Sequence, residues 1–119
     1  MSSIFNELEN IFHEPNRLAI VSALSGAPKG RTFTELKAEC NLTDGNLSRH
    51  IVALEKAGVI KTEKTFVANR PRTTAMLSNT GRKSFLKYLD SLERVLKHAA
   101  KRATSEDARL PHGAKATKA

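Results

Sequence analysis

The chain has 119 residues, with 20 Lys and Arg against 12 Asp and Glu and a formal net charge of +8, which bounds it to one domain with at most a short tail. Its 39% hydrophobic content supports a modest core but lies below the roughly 45–50% of an average globular domain, so part of the chain is expected outside any core. Aromatic residues make up 5%, with no Trp and one Tyr, which argues against reading single-stranded nucleic acid on aromatic stacking platforms and leaves duplex partners open.

A pI near 10.0 makes the surface positive at neutral pH and favours polyanions through counterion release and long-range steering. Cys40 stands alone and cannot form an internal disulfide, which excludes a disulfide-stapled scaffold. Met1 to Glu7 has no basic start followed by an apolar run, and no stretch approaches the roughly 18 apolar residues of a membrane span. The expectation is a cytoplasmic protein with no membrane partner.

In chain order, Ile4, Phe5, Leu8, Ile11 and Phe12 recur at helical spacing and predict a first helix ending near His13. Pro15 suits the first turn of a second helix with the stripe Leu18, Val21 and Leu24, which stops at Gly26 to Pro28. Lys29 to Arg31 reads as an exposed loop, and Thr34 as the N-cap of a short helix from Glu35 to Cys40. Thr43 is the next N-cap candidate. After it Leu47, Ile51 and Leu54 share one face of a helix that Gly58 terminates in a left-handed conformation. Two helices with about three residues between them form a helix-turn-helix pattern.

Beyond Gly58 the chain is rich in β-branched residues from Val59 to Val67, and Thr73 to Leu77 is a second extended run. Ala68 to Arg72 reads as the hairpin tip. Ser78 can cap a long last helix from about Asn79, in which Phe85, Leu89, Leu92, Leu96 and Ala99 step by four, three, four and three residues. Periodicity fades from Ala103, so residues 1–102 are expected to form the domain and 103–119 a flexible basic tail.

The expected fold is mainly α with a small β-hairpin, a winged helix-turn-helix with a long C-terminal helix. The runs Glu14-Pro15-Asn16-Arg17-Leu18-Ala19-Ile20, Phe33-Thr34-Glu35-Leu36, Leu42 to His50 and Leu54-Glu55-Lys56-Ala57-Gly58-Val59-Ile60 resemble those of prokaryotic winged helix-turn-helix transcriptional regulators. The likeness spans about residues 13–96, is nearest to the small MarR-like and ArsR-like single-domain group, and continues through Phe66-Val67 and Arg70 to Thr73. The resemblance implies sequence-specific binding of double-stranded DNA by a homodimer.

The residues also carry that reading on their own. With Leu47, Ile51 and Leu54 inward, Gly45, Arg49, Val52 and Lys56 point nearly opposite on a helix, and Asn46, Ser48 and Ala53 flank them. Arg49 can donate bidentately to guanine and Asn46 can pair with adenine. Ser48 can contact base or phosphate, and Gly45 lets the backbone approach closely. Thr43, Lys56, Lys61, Lys64, Arg70 and Arg72 are candidates for the DNA backbone or minor groove. Between residues 61 and 83 six cations face only Glu63, a net of +5. Pro71 stiffens the segment that presents Arg70 and Arg72.

The apolar stripe Phe85, Leu89, Leu92 and Leu96, with Leu86 and Val95 beside it, is wider than a small domain hides. It is expected to pair with a second copy, with Ile4, Leu8 and Phe12 alongside. A two-fold dimer predicts recognition helices roughly 34–36 Å apart and an inverted-repeat operator.

Other signals carry less. Gly26 to Thr32 has glycine spacing one residue short of a phosphate-binding loop, with Arg31 where Lys is required. Asn41-Leu42-Thr43 and Asn46-Leu47-Ser48 match the glycosylation pattern without the compartment for it. Cys40, His13, His50, His98 and His112 form no ligand pair of metal-site spacing, so no metal or cofactor is expected. A redox role for Cys40 would need a thiolate-favouring environment. No catalytic set stands out, and no enzyme is expected. The regulator, in repressor mode, leaves room for a small-molecule effector and names none. A winged-helix protein interaction module and a sequence-indifferent architectural DNA binder are the alternatives.

Overall fold

A computed structural model of the protein describes residues 11–109, with side chains through residue 104. Of the expected first helix, Ile11 and Phe12 are helical, while Ile4 and Leu8 lie outside the described residues. The backbone then follows the order α1 (Pro15–Ser25), β1 (Arg31–Thr32), α2 (Phe33–Cys40), α3 (Asp44–Lys56), β2 (Ile60–Val67), β3 (Arg70–Leu77) and α4 (Asn79–Arg109). Four helices and a three-stranded antiparallel sheet of order β1-β3-β2 form a winged helix.

Helix α1 begins as its proline dictates. Pro15 stands in the first turn, where its missing N–H removes no helical bond, and the Glu14 carboxylate caps the helix by accepting the Arg17 amide at 2.7 Å. Its buried side chains are Ile20, Val21 and Leu24, while Leu18 of the expected stripe is half-buried. Gly30 then takes φ +90°, where an added Cβ would lie 2.6 Å from the Ala75 carbonyl oxygen, so the chain enters β1 only through glycine.

Three local expectations are corrected here. Arg31 is half-buried in β1 rather than in an exposed loop, paired with Ala75 of β3. Thr32 rather than Thr34 caps α2, because a capping box closes between Thr32 and Glu35: Glu35 N–H donates to Thr32 Oγ1 at 3.1 Å and Thr32 N–H to Glu35 Oε1 at 2.9 Å. The hairpin turn is Ala68-Asn69 alone, both left-handed at φ 52° and 64°, the arrangement of a two-residue type I′ connection. Arg70, Pro71 and Arg72 therefore belong to β3, in register with Val67, Phe66 and Thr65. Pro71 is tolerated because β3 there extends beyond β1, leaving its outer edge open.

The recognition elements join tightly. Asn41 ends α2 in a left-handed conformation at φ 55°, and Thr43 caps α3 by accepting the Asn46 amide at 3.2 Å. Lys37 of α2 meets Asp44 of α3 at 2.8 Å. Gly58, at φ +77°, turns the chain out of α3. Leu47, Ile51 and Leu54 are buried as their spacing predicts, and they join Phe12, Ile20, Val21, Leu24, Leu36 and Val59 in one core. Each full burial of such a side chain contributes about 1.5–3 kcal/mol.

Ser78 starts α4, accepting the Gly81 amide at 2.8 Å while its hydroxyl donates to the Gly58 carbonyl at 2.6 Å. Phe12 packs on Phe85 and Tyr88 with ring centroids 5.3 Å away in each case, and Tyr88 hydroxyl meets His13 Nδ1 at 3.0 Å. The chain divides into two compact units, one up to Tyr88 and one from Leu89. In the second, the helix continues to Arg109, seven residues past the expected end at residue 102. Its alanines favour helix, and the Thr104 hydroxyl bonds back to the Ala100 carbonyl at 2.8 Å.

Candidate nucleic-acid interface

The Thr43 cap fixes where α3 begins and so which residues its outer face carries. Gly45, Asn46, Ser48, Arg49, Val52 and Lys56 are all exposed. The Arg49 guanidinium donates to Asn46 Oδ1 at 3.0 Å, which orders two of the candidate base-reading groups against each other. An added Cβ at Gly45 would meet nothing within 4 Å, so packing inside the chain makes no demand for glycine there. Val52, 50% exposed beside Arg49, was legible as outward-facing, and its apolar contact suits a thymine methyl.

Residue His50 lies inward instead. It is 6% exposed, with Nε2 3.9 Å from Glu14 Oε1 at the start of α1. The spacing of Leu47, His50, Ile51 and Leu54 could have placed it on the core face, although its polarity points outward. A second tie, Thr62 hydroxyl to Glu55 Oε2 at 2.8 Å, joins α3 to the first strand of the hairpin.

The hairpin supplies the charge. Lys61, Lys64, Arg70 and Arg72 are exposed, and among the described residues none of them is in an ion pair. By strand alternation Lys64 shares a face with Phe66 and Pro71, while Arg70 and Arg72 occupy the other face with Thr65 and Val67. The tip thus shows cations on both faces. A groove of about 630 Å³ separates this part of the hairpin from the first turn of α2, between Arg70 to Thr73 and Thr32 to Glu35. Inside it the Glu35 carboxyl is held below its ordinary range, chiefly by the Thr32 backbone N–H.

Burial, then the negative charge of Glu39, pushes the Cys40 thiol up, which is opposite to what a nucleophilic thiolate needs. Among the described residues no three His, Cys, Asp or Glu side chains gather to hold a metal, and no helix is long and apolar enough to cross a membrane.

The winged helix DNA-binding domain family matches residues 16–96. This chain is a winged helix DNA-binding domain. The winged helix chain is 34% identical over 88 residues to an uncharacterised protein of Methanocaldococcus jannaschii, covering 74% of this chain and 95% of that one. It also resembles the solved structure of a transcriptional regulator homologue from Pyrococcus horikoshii, with 31% identity, a TM-score of 0.71, and coverage of 82% of this chain and 98% of the other. An ArsR family transcriptional regulator shares the fold at 22% identity and a TM-score of 0.56, over 80% and 92% of the two chains. The likeness to the Pyrococcus horikoshii regulator homologue agrees with the resemblance to winged helix-turn-helix regulators read from the sequence.

The candidate dimer residues of the winged helix domain separate into two sets. Phe12 and Phe85, expected on the outer seam, are 0% and 3% exposed and pack on each other inside the domain. They anchor the end of the N-terminal segment to α4 because aromatic rings of this size fill the core most economically from the inside. Leu89 and Leu96 are exposed at 39% and 59%, with Leu86 and Val95 each at 60%, and Leu92 is half-buried.

Proposed function

We propose that the protein is a sequence-specific transcriptional regulator that binds double-stranded DNA as a homodimer on an inverted-repeat operator and acts as a repressor. The observation that carries this reading is the exposed, mutually ordered Asn46 and Arg49 on α3 beside a hairpin whose cations form no ion pair among the described residues. Base edges in a major groove are read by Arg49, Asn46 and Ser48, with Gly45 allowing close approach. Thr43, Lys56, Lys61, Lys64, Arg70 and Arg72 bind phosphates or the minor groove, the sequence-independent part of the affinity.

Pairing rests on Leu89, Leu92 and Leu96, with Leu86 and Val95 beside them. So many large exposed apolar side chains on one helix favour a partner helix of the same kind. Ile4 and Leu8 belong to the same seam in this reading.

Selection from random-sequence duplexes, with the solution mass of the protein measured in parallel, tests it. A two-fold-symmetric motif bound by a dimer is the expected result. Salt-sensitive binding with no motif would instead mark an architectural DNA binder, and absence of duplex binding would leave an interaction module.

A further inference from the structure

The hairpin tip carries a feature that phosphate binding does not use. Phe66 is 73% exposed and Val67 is 45% exposed, although both flank the turn of an ordered eight-residue strand. Phe66 has no ring contact among the described residues. Directly across the ladder stands Pro71, also exposed. The pair makes an apolar patch next to the turn on the face that also carries Lys64, while Arg70 and Arg72 stand on the opposite face. A protein-binding patch would be expected to shed that charge at its centre, whereas a polyanion satisfies the charge and offers an apolar interior between its base pairs.

We infer that Phe66, backed by Pro71, is an apolar wedge that enters the minor groove of the bound duplex and selects a deformable base step at the outer edges of the operator. This rests on the DNA-binding reading above. Lys64 on one face of the ribbon and Arg70 and Arg72 on the other meet the two phosphate walls. The phenyl ring, on the Lys64 face and two residues nearer the turn, projects past the phosphates that Lys64 holds, reaches the base edges and partly unstacks a step. Pyrimidine–purine steps unstack at least cost, so the wedge favours them at positions that no hydrogen-bonding side chain reads. Pro71 matters because its ring fixes the backbone behind the phenyl group, which reduces the freedom lost on insertion.

Random-duplex selection with wild type, Phe66→Ala and Phe66→Leu, followed by titrations of the recovered duplex at several salt concentrations, tests the wedge. Wild type should enrich TA or CA steps outside the half-sites read by α3. Phe66→Ala should keep the half-sites, lose the flanking preference and bind about tenfold more weakly, with the slope of log affinity on log salt unchanged, because an apolar group releases no counterions. Phe66→Leu should retain most of the preference. Equal affinity and equal flanking sequences for wild type and Phe66→Ala would overturn the wedge while leaving the regulator intact. So would a flattened salt slope in Phe66→Ala. Failure of wild type to bind any duplex would overturn the regulator and the wedge together. The exposed position means Phe66→Ala should melt at the wild-type temperature, and a large fall in melting temperature would also count against a role confined to DNA.

Discussion

Arg49 donates to the side-chain oxygen of Asn46 at 3.0 Å, one turn earlier on the exposed face of α3. Two groups that would read neighbouring bases therefore orient each other before DNA arrives. Arg49→Ala should reduce discrimination between operator and random duplex by about 1–3 kcal/mol, the worth of a bidentate base contact. Asn46→Ala should cost a similar amount. The double variant should lose less than the sum, since each single change also frees the partner left behind. Affinities of the four proteins for both duplexes check this, and strict additivity would disconnect the pair.

Backbone contacts predict a different signature. Arg70→Ala and Arg72→Ala should weaken operator and random duplexes alike and each lower the salt slope by about one. Titrations at three or more salt concentrations measure the slope. A change in sequence preference instead would move these residues from phosphate to base contact.

The capping box on α2 links folding to pH. Hydrogen bonds from Thr32 lower the Glu35 carboxyl below its ordinary value in the folded protein. The stabilisation is therefore fully present above the unfolded-state value and is lost as pH falls through the folded one. Urea midpoints measured from pH 7 down to pH 3 should fall more for wild type than for Glu35→Gln, which keeps an acceptor but cannot titrate there. Parallel curves would mean that the carboxylate adds nothing beyond its shape.

Residue Gly81 is a steric requirement rather than a hinge. A Cβ there would lie 1.9 Å from the Val59 carbonyl oxygen and 2.7 Å from its carbon, both backbone atoms that cannot swing aside. Gly81→Ala should destabilise the domain by about 3 kcal/mol or more, although alanine is the better helix former. Thermal unfolding beside Gly45→Ala, whose site is open within the chain, isolates the clash. Gly45→Ala should hold its stability and weaken DNA binding.

The helix-turn-helix could be read from the sequence because it rests on periodicity. Leu47, Ile51 and Leu54 return every three or four residues and all are buried, and Thr43 sits where a side-chain cap must. Strand β1 could not be read this way, since its two residues are too few to show alternation and are held by a partner more than forty positions later in the chain. The Thr32 cap is legible in principle, since Thr-x-x-Glu marks a capping box, but Thr34 directly before Glu35 offers a competing cap in the sequence. The turn hid behind Pro71, a strong turn signal placed at an open strand edge, while Ala68 occupies a left-handed conformation that its side chain disfavours. Phe85 belonged by spacing to an outer stripe. Only the placement of Phe12 and Tyr88 shows that its ring completes the interior.

Val59 is held from two sides, by the Ser78 amide on its carbonyl oxygen at 3.0 Å and by the close passage of Gly81. The end of α3 and the start of α4 thus meet at one residue, with backbone packed on backbone. A change at Ser78 or Gly81 therefore reaches the end of α3 directly through the Val59 backbone. Residues that never touch DNA would in this way govern how firmly the reading face is held.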